Sequence, residues 1–101
     1  MQGCNILAGD FNLHHNDWDP HTFNPTPTSR QFADWVSDSG GVYGLPSGTK
    51  THQQGGCIDL VITSSSLSPY IYECYVDKAL DVTSNHSTII TTLGIGNERA
   101  E

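Results

Sequence analysis

The sequence predicts an α/β chain, a sandwich half of mostly antiparallel sheet with one main helix, and three observations carry that prediction. Five or six short apolar and β-branched stretches run from Cys4–Gly9 to Ser87–Leu93, and only the stretch around Phe32, Trp35 and Val36 has helical spacing. Breakers divide them: Pro20, Pro25 and Pro27, then Gly40-Gly41, Pro46-Ser47-Gly48 and Gly55-Gly56. The best strand, Cys57-Ile58-Asp59-Leu60-Val61-Ile62-Thr63, is apolar or β-branched at every position except Asp59.

Taken in order, Cys4-Asn5-Ile6-Leu7-Ala8-Gly9 reads as a short strand that suits a sheet interior better than an exposed edge. Asp10-Phe11-Asn12-Leu13 continues it in alternation, with Asp10 and Asn12 on one side and Phe11 and Leu13 on the other. A polar site at a strand end is expected there. His14 to Thr28, rich in His, Asn, Asp, Pro and Thr, is expected to be an ordered surface loop without regular structure. Thr28 or Ser29 can cap a helix over about residues 29–39, with Phe32, Trp35 and Val36 facing the core and Gly40-Gly41 ending it. Val42–Leu45 and Lys50–His52 are short extended pieces. After the Cys57–Thr63 strand, a Ser64-Ser65-Ser66 linker leads to strands over Tyr70–Val76 and Ser87–Leu93. Residues 1–94 make one domain, partial in extent, and 95–101 a frayed tail. There is no internal repeat and no low-complexity tract.

A chain of 101 residues can bury only a modest core. Its apolar content of 36%, with two Trp, four Tyr and three Phe, favours a packed fold over disorder. No apolar run is long enough to span a bilayer, and Met1-Gln2-Gly3-Cys4-Asn5 does not open a secretory leader. The expectation is no membrane and no secretion. A start made directly of strand-like residues suggests part of a larger frame. Cys4, Cys57 and Cys74 are odd in number and widely spaced, which points to free thiols in a reducing compartment. The formal net charge of −7, with Arg30, Lys50, Lys78 and Arg99 as the only fixed cations, opposes the phosphate-neutralising surface of nucleic-acid binders.

Three polar spots interrupt or end apolar strands: Asp10 with Asn12, Asp59, and Asn85 with His86. A carboxylate within Ile58–Ile62 costs several kcal/mol unless paired or hydrogen-bonded, so Asp59 needs a partner, and His86 is the candidate. An Asp that holds a His makes the imidazole readier to take a proton, as a general base does.

Gly9-Asp10-Phe11-Asn12, Ile58-Asp59-Leu60-Val61-Ile62 and Ser84-Asn85-His86-Ser87 resemble the GDFN, IDxxI and Ser-Asp-His motifs of endonuclease/exonuclease/phosphatase proteins. Asp59 follows Asn12 by 47 positions and Ser84 follows Asp59 by 25, which also resembles the family's order and spacing. The likeness is closest to the endonuclease domain of non-LTR retrotransposons, through His14-His15-Asn16-Asp17-Trp18-Asp19-Pro20. It implies the C-terminal half of a four-layer α/β sandwich and magnesium-dependent hydrolysis of DNA phosphodiesters, with Mn2+ as the substitute ion. By the same resemblance Asp10 orients or deprotonates the attacking water and Asn12 holds that water or a phosphate oxygen. His86 stabilises the phosphate or acts as base, Asp59 fixes its tautomer, Thr51 contacts a phosphate, and position 85 sits beside the metal ion. Asn85 stands where the family has Asp, which predicts weaker binding of a hard cation. The family's N-terminal half, with an Asn, the principal metal-binding Glu and a Tyr, has no counterpart before Cys4. A missing N-terminal half or a second copy of the chain is therefore an expected partner, alongside DNA. The resemblance implies the nucleus; no basic targeting run is present, and the alternative is the cytoplasm.

Other readings stand beside these. Gly9–Asn12 alone is a strand end followed by an Asx turn. Asp59 can face solvent on an edge strand, and His86 can be a satisfied histidine without chemistry. His14, His15 and His21 with Asp17 and Asp19 offer metal-ligand types, but loop histidines at irregular spacing are usually solvated. Trp18 either packs beneath the loop or stacks on a base. Two rivals in function are a noncatalytic interaction module and a phosphoesterase acting on lipid or small-molecule phosphates, which an acidic surface tolerates better than DNA.

Overall fold

The computed structural model describes residues 3–52, 56–77 and 86–94. Position 85 and the tail expected over 95–101 lie outside the described residues. In chain order the elements are β1 (Ile6–Asp10), α1 (Pro27–Asp38), β2 (Gly41–Tyr43), β3 (Asp59–Ser64), a 3-10 turn (Ser68–Tyr70), β4 (Ile71–Asp77) and β5 (Thr88–Leu93). They form two antiparallel sheets, ordered β1-β3-β2 and β4-β5, with α1 the one α-helix among the described residues. The α/β architecture expected from the sequence is the one observed. No helix among the described residues is long and apolar enough to cross a membrane.

The register of the first sheet sorts its side chains. Leu7 opposes Ile62, Gly9 opposes Leu60, and Tyr43 opposes Ile62 from the other side. Cross-strand partners share a face, so this face carries Leu7, Leu60, Ile62 and Tyr43. It packs on a cluster formed with Trp18, Ala33, Val36 and Cys57, against which Phe11, Leu13 and Phe32 also lie. The opposite face carries Ile6, Ala8, Asp10, Asp59 and Val61. Part of it looks across a cleft of about 280 Å³ at Ser87 and, in the second sheet, at Ile89 and Thr91. Strand β3, paired on both sides and buried throughout, is the centre of the fold.

Four expectations are corrected. The helix begins at Pro27, because Thr26 caps it: the Thr26 hydroxyl accepts the Ser29 N–H at 3.2 Å, and Pro27 takes the first turn, where a missing N–H costs nothing. Trp35 is partly exposed, and the buried helix face is Ser29, Ala33 and Val36, with Phe32 alongside. Strand β1 is the edge of its sheet, with Ile6 46% exposed. The alternation also stops at Asp10. Asn12 takes a left-handed backbone conformation (φ 48°) and its N–H donates to Asp10 Oδ1 at 2.9 Å. This is an Asx turn, which Asn accommodates better than most residues.

The edge of β2 needs glycine. A Cβ at Gly41 would come within 2.9 Å of Val36 Cγ1 and 3.0 Å of Ile62 Cγ2, so the close seat of β2 between helix and central strand excludes a side chain.

Candidate active site

Asp10 and Asp59 end up side by side because they are the last cross-strand pair of β1 and β3. His86 reaches them from the start of the second sheet. Its Nδ1 lies 2.7 Å from Asp59 Oδ2 and its Nε2 3.4 Å from Asp10 Oδ2. A carboxylate only accepts, so Nδ1–H is the donor to Asp59, and the tautomer is set by the side chain that the sequence singles out as needing a partner. Nε2 then faces a second carboxylate, where a bare lone pair would be repelled and an N–H attracted. Both carboxylates therefore favour the imidazolium over the neutral ring. Accordingly the His86 pKa is raised above 6.5, first by the Asp59 hydrogen bond and then by the charges of Asp59 and Asp10, against an opposing effect of desolvation. Asp59 is buried, while the Asp10 side chain is 48% exposed and is the accessible carboxylate of the pair.

Thr51 sets the position of this group. It is 0% exposed, and its Oγ1 accepts the N–H of Ile58 at 3.0 Å and of Asp59 at 3.1 Å. Its carbonyl accepts the Ser87 N–H at 2.8 Å, which ties the chain beside His86 to the start of β3. The expectation that Thr51 touches a phosphate is corrected: its hydroxyl is engaged inside the protein and closed to solvent. Trp18 is corrected likewise. At 2% exposure it cannot stack on a base; its Nε1–H donates to the Leu13 carbonyl at 3.0 Å and its ring packs against His15, Phe32 and Tyr43. The loop has folded its largest aromatic inward to complete a small core.

Two further residues take places that the sequence reading did not assign to them. The His52 ring meets the His86 ring edge-on at 4.9 Å, and the two residues form an isolated antiparallel bridge. The signal was its place next to Thr51, whose inward side chain turns the following one the other way. Asp19, buried, accepts the His21 N–H with Oδ1 and the Cys57 N–H with Oδ2, fastening the long loop to the central strand. Burial, with Asp19 and Asp59 nearby, pushes the Cys57 thiol up to about 11, so this cysteine stays protonated and inert.

Among the described residues, Asp10, Asp59 and His86 form the group of metal-ligand types, with one ligand atom from each within 4.8 Å of the others. The loop residues His14, His15, His21, Asp17 and Asp19 form no such group. Two carboxylates suit a hard divalent cation, and since Asp59 Oδ2 and His86 Nδ1 engage each other, Asp10 is the ready oxygen donor. These residues fit a metal ion. The family model described as endonuclease-reverse transcriptase matches residues 2–90. No curated protein and no solved structure matches the chain.

Proposed function

The chain belongs to the endonuclease-reverse transcriptase family, and from that premise we propose that its site hydrolyses DNA phosphodiesters with Mg2+ as the ion, replaceable by Mn2+. The observation that carries this reading is the placement of His86 between Asp59 and Asp10. Asp59 holds the imidazole from behind and favours its protonated form. His86 Nε2–H then serves as a donor to a phosphoryl oxygen in place of Asp10, where negative charge grows in the transition state. Asp10, released from His86 and exposed, orients the attacking water and takes its proton; the Asx turn brings Asn12 next to that position, where its amide steadies the water or a phosphate oxygen. An ion held at Asp10 and Asp59 would polarise the phosphoryl group and offset charge on the leaving oxygen.

Hydrolysis of a nitrophenyl phosphodiester tests the reading. The expected result is turnover with Mg2+ that chelator removes, that short DNA inhibits by competition, and that falls about a hundredfold in His86→Ala. Turnover that DNA leaves untouched would favour a phosphoesterase acting on lipid or small-molecule phosphates.

One observation favours a second reading, an interaction module. Among the described residues strand β1 is an open edge, and Ile6 and Ala8 on it line, with Ile89, the cleft that also holds Asp10 and Asp59. Unpaired edges beside apolar surface invite pairing with another chain. Concentration-dependent association in sedimentation, without turnover, would favour it.

A further inference from the structure

Asn12 also forms part of the wall of a separate cleft of about 450 Å³, built by the loop between β1 and α1. Its size lies within the usual range for small-ligand sites. Phe23 lines it and is 87% exposed, although the same loop buries Trp18 almost completely. The remaining walls include His14, His21, Thr22 and Asn24, and the cleft has no lysine or arginine among its lining residues. The Thr22 hydroxyl is buried without a hydrogen-bond partner among the described residues. An exposed ring beside amides, hydroxyls and imidazoles, with the Asp19 carboxylate in the same wall, does not select a phosphate, which needs cations or clustered N–H groups. It suits a flat, uncharged heterocycle whose face stacks on an aromatic ring and whose edge hydrogen-bonds to amides and imidazoles.

We infer that this cleft is a nucleobase subsite, which takes the base of a nucleotide flanking the phosphate that Asp10 and His86 engage. Asn12 links the two places, since it lines the cleft and is bound through its N–H to Asp10. The inference rests on the phosphodiesterase reading for the position of the phosphate, while binding of the base itself needs no hydrolysis.

The experiment uses the metal-free chain in chelator, titrated with deoxynucleosides and with short single-stranded DNA, and followed by NMR at the His14 and His21 rings. Both ligands are expected to shift these signals, the DNA at lower concentration because more of the strand is held. Phe23→Ala is expected to weaken both by about tenfold, within the range of one base–aromatic stack, and Phe23→Trp to restore them. An unshifted pair of histidines at millimolar nucleoside, or undiminished binding by Phe23→Ala, would overturn the inference. Equal affinity for nucleoside and DNA would overturn its assignment to the strand being cut. Base binding that survives where no phosphodiester is hydrolysed would support the subsite and strike only the phosphodiesterase reading.

Discussion

Among single side chains, His86 is central to the proposed chemistry, and its hydrogen bond to Asp59 is the largest cause of its raised pKa. The raised pKa of His86 has a signed consequence for stability. A base that binds its proton more tightly folded than unfolded stabilises the fold fully below its unfolded pKa of about 6.5, and that contribution is lost as pH rises through the higher folded value. NMR titration of the metal-free chain is expected to place the His86 midpoint above 6.5, and in Asp59→Asn to bring it down, because the largest cause of the shift is removed. An unmoved midpoint in that variant would show that Asp59 does not set the charge. This pairing was legible in the sequence because a carboxylate inside an apolar strand requires a partner. The burial of Thr51 and Trp18 was not. A threonine in a loop is at home inside and outside, and Trp18 stood open between packing beneath the loop and stacking on a base; long-range packing decides both.

Strands β1 and β3 and the chain around Thr51 act as one unit that holds Asp10, Asp59 and His86 in register. Thr51→Val keeps the shape but leaves the N–H groups of Ile58 and Asp59 without their buried acceptor, which is expected to cost about 1–3 kcal/mol in chemical denaturation. Thr51→Ser, which keeps the oxygen, is expected to lose less. Equal stability of the valine variant and the parent would remove Thr51 as the fastener. The elements themselves were largely readable: the central strand from its β-branched run, the helix from the spacing of Phe32, Trp35 and Val36, although Trp35 proved exposed, and its end from Gly40, which takes φ 77°. Its start was misplaced by two residues because Thr26, Thr28 and Ser29 are all capping types, and only Thr26 precedes a proline that fits the first turn. Where alternation was expected to persist through Asn12, local hydrogen bonding won: a short side chain at Asp10 bound the backbone and ended the strand.

The whole chain has a formal charge of −7 and four lysines and arginines. Few phosphates can be neutralised by so few cations, so the logarithm of DNA affinity is expected to fall with the logarithm of salt at a slope shallower than about −4. Fluorescence anisotropy across a NaCl series measures it; a steeper slope would mean that binding does not rest on these side chains alone. A metal ion at the acidic pair and neutral base contacts would then supply what surface charge does not. Sequence composition announced this tension, and the loop cleft, whose lining holds no lysine or arginine, adds to it. Nicking of supercoiled plasmid by the purified chain, with Mg2+ or chelator and alongside His86→Ala, decides whether the group at Asp10, Asp59 and His86 cuts DNA. Nicking that requires Mg2+ and is lost in His86→Ala is the expected result, and nicking that persists in the variant, or none by the parent chain, would contradict it.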